Sequence, residues 1–122
     1  MKTKKLLLLL TLIVFTITVK AQLADKKFEL KLGEMGTYYI EFSETDYKLA
    51  NPKGDLMVAG TYKIDGNTIM FTDKEGMIAC PAVNVGEYRY SMADGELKLE
   101  LIKDECTGRS QMAAVSWKQV EK

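Results

Sequence analysis

Histidine is absent from this chain of 122 residues, and that absence excludes Ser-His and Cys-His catalysis together with the commonest metal ligand. Long apolar runs are scarce. Leu6 to Val19 is broken only by threonines, yet it is shorter than the roughly 20 apolar residues a membrane-spanning helix needs. Beyond the first five residues, clusters of Lys and Arg are missing too, which argues against a nucleic-acid or anionic-membrane surface. Cysteine is limited to Cys80 and Cys106, and tryptophan to Trp117.

The one apolar run reads as an export leader. Lys2, Lys4 and Lys5 form a basic start, Lys20 closes the run, and Val19-Lys20-Ala21 carries small residues where a signal peptidase reads them. Cleavage is expected between Ala21 and Gln22, giving a signal peptide at 1–21 and a single domain at 22–122. No cysteine sits at the cut to carry a lipid, so the mature protein is expected to be soluble, periplasmic or extracellular, without membrane insertion. Losing four lysines leaves thirteen basic residues against seventeen acidic, a net charge of −4. A domain of this size buries about 60–70% of the surface its unfolded chain would expose. An even cysteine count in an exported chain favours a disulfide over a metal site or a redox pair. Cys80–Cys106 would close a loop of 26 residues, worth about 3 kcal/mol.

Alternation of period two runs through the rest. Phe28, Leu30 and Leu32 share one face of a first strand, and Tyr38, Ile40 and Phe42 one face of a second. A short strand over Tyr47 to Ala50 ends at the breaker Asn51-Pro52-Lys53-Gly54. Leu56 to Ile64 and Thr68 to Asp73 flank Asp65-Gly66-Asn67 as a hairpin, with Val58, Gly60, Tyr62, Ile69 and Phe71 inward. A second hairpin carries Tyr88, Tyr90 and Met92 on one strand and Leu97, Leu99 and Leu101 on the other, around Ala93-Asp94-Gly95. Lys74 to Asn84 is the longest connection. Asp104 to Ala114 has room for one helical turn, and Val115 to Val120 reads as a closing strand with Trp117 inward.

About eight short strands joined by turns predict an all-β domain, an up-and-down antiparallel meander closed into a barrel or folded into a sandwich. Alternate strands of such a meander end at the same rim. The strands before Cys80 and Cys106 are two apart, so both cysteines land at one end.

Cys80, Gly86-x-Tyr88-x-Tyr90, Asp94-Gly95-x-Leu97-x-Leu99, Asp104-x-Cys106-x-x-Arg109 and the downstream Trp117 together resemble the lipocalin-like domains of small exported bacterial proteins. The resemblance covers the chain from about Gly60 onward and implies a calycin-type barrel of the kind that holds a small hydrophobic molecule. One feature departs from it: strict lipocalins carry Gly-x-Trp on their first strand, where this chain has Phe28-Glu29-Leu30. No ligand residue carries over.

Among polar residues, Arg109, Asp104 and Trp117 have two readings. One is an anion clamp at a barrel mouth; the other, favoured, is a seal in which Arg109 stacks on Trp117 or pairs with Asp104 beside the disulfide. The acid pairs Asp73/Glu75 and Asp104/Glu105 are weighed as calcium ligands, but acids in turns are ordinary and no EF-hand spacing is present. Inward aromatics serve a ligand cavity and a filled core equally well, and the narrow interior of eight short strands tilts the expectation toward little or no cavity. The expected function is non-enzymatic, without cofactor or metal: binding of a small hydrophobic or amphipathic ligand, with Tyr62, Phe71, Tyr88, Tyr90 and Leu99 as wall residues. The alternative is a protein-interaction or envelope-structural module with a solid core, acting through Lys74 to Asn84 and an apolar patch around Met77 and Ile78. An enzyme using carboxylates alone is a third reading, for which no acid pair stands out.

Overall fold

The computed structural model describes residues 23–122, so the expected leader and its cut after Ala21 lie outside the described residues. Eight antiparallel strands close into an up-and-down barrel. In chain order they are β1 (Lys27–Lys31), β2 (Thr37–Phe42), β3 (Asp46–Ala50), β4 (Leu56–Asp65), β5 (Thr68–Glu75), β6 (Gly86–Ala93), β7 (Glu96–Lys103) and β8 (Trp117–Val120), with a helix α1 (Thr107–Ala113) between the last two. Closure comes from β1, which pairs with β2 on one side and β8 on the other, setting Leu30 opposite Trp117. Barrel rather than sandwich is the outcome, and closing the sheet pairs each strand with a neighbour on both sides over at least part of its length.

Strand direction divides the molecule into two ends. The lower end holds the tight turns: Ser43–Thr45, Gly66-Asn67 and Asp94-Gly95. Asp94 and Gly95 both take positive φ, 54° and 75°, as a type I′ hairpin requires. Leu23 is fully buried here, and the segment after it is pinned by the Asp25 amide donating to the Phe42 carbonyl at 2.8 Å. The upper end holds the longer connections and α1, which packs against β7.

The expected inward faces are buried for Phe28, Leu30, Tyr38, Ile40, Phe42, Val58, Tyr62, Ile69, Phe71, Tyr88, Tyr90, Leu97 and Trp117. Aromatic rings form the middle layer. Phe42 meets Phe28, Tyr62 and Trp117 at centroid distances of 5.9, 5.0 and 6.4 Å, and Phe71 meets Trp117 at 6.2 Å. The indole N–H donates to the Met112 carbonyl of α1 at 2.9 Å, so no buried donor is stranded.

Some expectations shift. The helical segment is two turns rather than one, and β8 begins at Trp117 rather than Val115. Leu101 does not face inward with Leu97 and Leu99: it is 56% exposed. β7 pairs with β8 only through Glu96 and Leu97, so its upper half has no strand beyond it. A bulge opposite Glu87 and Tyr88 also breaks the alternation there.

Candidate functional site

At the upper end the barrel is incompletely laddered in two places, and both openings converge on one site. β5 pairs with β6 only from Thr68 to Phe71, which leaves the β5 stretch Thr72–Glu75 without a β6 neighbour. β7 parts from β8 above Leu97. Into this end the chain places a disulfide, a buried arginine and a cavity.

The disulfide forms as expected between Cys80 and Cys106, with Cα atoms 6.0 Å apart. Each half-cystine also fixes a carboxylate. The Cys80 amide donates to Asp73 Oδ2 and the Cys106 amide to Asp104 Oδ1, both at 2.9 Å. Arg109, in the first turn of α1, joins the two acids: Nη1 donates to Asp73 Oδ1 at 2.9 Å, Nε to Asp104 Oδ2 at 2.7 Å, and Nη2 to Asp104 Oδ1 at 2.9 Å. Nη2 also donates to the Asn84 carbonyl. Two tyrosines complete the network, Tyr47 donating to Asp73 and Tyr88 to Asp104. Arg109 therefore ties β5, the start of β6 and the end of β7 together where ladder bonds are missing.

Burial makes this network rigid and costly to disturb. The Asp73 side chain is 3% exposed, Asp104 0% and Arg109 11%. Burial alone would raise the Asp104 carboxyl, but hydrogen bonds from Arg109, Tyr88 and the Cys106 amide hold it below its ordinary value. Burial first, then the bonds to Asp73 and Asp104, push the Tyr47 and Tyr88 hydroxyls well above the usual phenol range. Burial alone would lower the guanidinium, but its contacts with Asp104 and Asp73 raise it. Among the described residues, no buried side-chain polar atom lacks a partner.

Two glycines give the network room. A Cβ at Gly86 would lie 2.5 Å from Asp104 Oδ2 and 2.7 Å from Arg109 Nε, and one at Gly60 would lie 2.8 Å from the Tyr47 hydroxyl and 2.1 Å from the Thr72 carbonyl. Neither position has room for a side chain. At Gly60 the backbone of the neighbouring strand β5 approaches too closely for any side chain.

Below α1 and beside this network lies a cavity of about 510 Å³. Its wall is mostly apolar, with Leu30, Leu49, Val58, Leu99, Met112 and Val115 prominent, and Phe71 and Trp117 at the aromatic layer. Tyr47, Asp73 and Arg109 are its inner polar lining, and the exposed Lys31 and Gln111 also contribute to the wall.

The expected wall residues divide. Phe71 and Leu99 line the cavity, whereas Tyr62, Tyr88 and Tyr90 do not. Tyr62 and Tyr90 send their hydroxyls to the lower turns, donating to the Ser43 carbonyl at 2.5 Å and the Gly66 carbonyl at 3.2 Å, and Tyr88 serves the arginine network. Of the structural set, Arg109 pairs with Asp104, while Trp117 belongs to the aromatic layer and bonds α1 instead. The acid pairs weighed for calcium separate: Asp73 and Asp104 turn in toward Arg109, and Glu75 and Glu105 are exposed.

Tyr47 and Asn84 are not legible as site residues from the pattern alone, and Asp73 stands out there only as half of a calcium pair. Asp73 had a signal. It continues the inward face of Ile69 and Phe71, and a buried carboxylate needs a cation. Only two arginines exist, and Arg89 points outward between Tyr88 and Tyr90. Comparison with models of known families, with curated proteins and with solved structures finds no match to this chain.

Proposed function

We propose that this protein is an exported, non-enzymatic, lipocalin-like barrel whose upper end binds a small hydrophobic or amphipathic molecule. The observation that carries the reading is the cavity. Its volume of about 510 Å³ lies inside the range of small-molecule sites, roughly 300–1,000 Å³, and its lining is of the usual kind, apolar walls with a few convergent polar groups. Phe71, Leu99, Leu30, Leu49, Val58 and Trp117 are the proposed wall. Arg109 acts first as a seal, since its charge is met by Asp73 and Asp104.

The lipocalin-like assignment draws on eight-stranded up-and-down closure and on Trp117 lying opposite Leu30 of β1. Its packing is rearranged, with the tryptophan supplied by β8 instead of β1. Native mass spectrometry of protein purified from an oxidising compartment tests the function. A discrete bound mass released by organic solvent is expected; its absence after purification without detergent or organic solvent, together with failure to take up added amphiphiles, would contradict the reading.

A second reading has its own observation. Met77 and Val83 are 78% and 84% exposed, and Ile78 and Val85 join them on the connection between β5 and β6. Exposed apolar residues grouped on one loop favour a protein-contact surface. Under that reading Met77→Lys with Val83→Lys abolishes a specific complex and leaves amphiphile uptake unchanged.

A further inference from the structure

Arg109 faces the cavity, yet its charge is already over-matched. This inference rests on the binding role proposed above and concerns what the polar part of the cavity selects. We propose that the site takes an uncharged amphiphile with a hydroxyl or primary amide head group and discriminates against carboxylates.

The argument is a count of charges and of unused hydrogen-bonding positions. Two buried carboxylates, Asp73 and Asp104, surround one buried guanidinium, leaving one negative charge in excess. Asp104 accepts four hydrogen bonds, from Tyr88, twice from Arg109 and from the Cys106 amide, so its lone pairs are filled. Asp73 accepts three, from Tyr47, Arg109 and the Cys80 amide, leaving one acceptor position. Arg109 uses four of its five N–H groups, leaving one on Nη1. Asp73 and Arg109 are neighbours on the cavity lining. The unused acceptor is on Asp73 Oδ2 and the unused donor on Arg109 Nη1, two residues joined by the Nη1–Oδ1 bond of 2.9 Å.

A hydroxyl or a primary amide both donates and accepts, and so matches that pair. A carboxylate only accepts. It finds one N–H, leaves the Asp73 position unfilled, and brings a third negative charge to a single buried cation, where desolvation strengthens the repulsion. The other charged residue of the wall, Lys31, is 77% exposed and lies 4.0 Å from Glu29, so solvent screens it.

The test is a set of ligands of one chain length, decanol, decanamide, methyl decanoate and decanoate, titrated at pH 7.5 by competition against an uncharged naphthylamine dye. Decanol and decanamide are expected to bind at least about tenfold more tightly than decanoate, because like charges at close quarters in a desolvated site are strongly disfavoured. Methyl decanoate, with the same carbonyl and no charge, is expected to fall between them. Asp73→Asn removes the excess charge and is expected to narrow the gap between decanol and decanoate several-fold; the wild-type series decides the matter if that variant does not fold. Decanoate binding as tightly as decanol overturns the inference and leaves the binding role standing. Failure of all four ligands to bind overturns the binding role, and the inference with it.

Discussion

The two ends of this barrel are built by opposite means. The lower end is closed by its own apolar side chains, with Leu23, Phe28, Ile69 and Leu97 fully buried, over short turns whose Ser43 and Gly66 carbonyls accept from Tyr62 and Tyr90. The upper end has gaps in its ladders and closes them with polar and covalent links, the Cys80–Cys106 bond and the Arg109 network. The lesson is that one small barrel can be solid and hollow at once. Filling half with aromatic packing secures the fold, and the other half keeps its cavity because stability there does not depend on filling it.

The comparison is broken most severely by Arg109→Ala, which leaves Asp73 and Asp104 buried without their cation. The expected cost is about 3–5 kcal/mol, measured by urea denaturation, and amide exchange should show the upper ends of β5 and β7 opening before the lower turns. A loss under about 1 kcal/mol would mean that the network is dispensable. Removing the disulfide with Cys80→Ser and Cys106→Ser is expected to cost about 3 kcal/mol. An unchanged melting curve together with free thiols in the wild type would reject the staple.

The same truncation at the two ends sharpens the contrast. Leu97→Ala, in the filled half, creates a new void and is expected to cost about 3–5 kcal/mol, whereas Leu49→Ala enlarges a space already present and should cost about 2 kcal/mol or less. Equal losses would indicate that the upper half is as tightly packed as the lower.

The smallest effects are those of pH. Asp104 is depressed below its ordinary value of 3.8 in the native state, so its contribution is fully present above about pH 4 and is lost as pH falls through the depressed value. Tyr47 and Tyr88 are raised above 10.0. Their contribution is fully present below about pH 10 and is lost as pH climbs from there toward the raised values, because the unfolded chain ionises first. Stability measured across pH should therefore be flat between these limits as far as these groups are concerned, and Asp104→Asn should reduce the acid limb.

The strand pattern was legible because period-two alternation is a direct trace of a sheet with one buried face. Tyr38, Ile40 and Phe42, or Ile69 and Phe71, could not alternate so without a core on one side. The disulfide was legible from strand parity. The site was legible only in part. Phe71 and Leu99 were found because alternation gives the inward face, but alternation does not give height along the barrel, and height decides whether an inward tyrosine such as Tyr62 fills a core or lines a cavity. Asp73 looks like an ordinary turn acid in the sequence because its partner, Arg109, lies 36 residues away, and no local pattern links them. Leu101 misled because its alternation continues past the point where β7 loses its neighbour.

The most direct test of a barrel solid below and hollow above is a methyl-resolved NMR titration of the oxidised protein with decanol. Shifts are predicted at Leu30, Leu49, Val58, Leu99 and Val115, with Leu23, Ile69 and Leu97 unmoved. Shifts spread equally over both sets, or none at saturating decanol, would contradict the account.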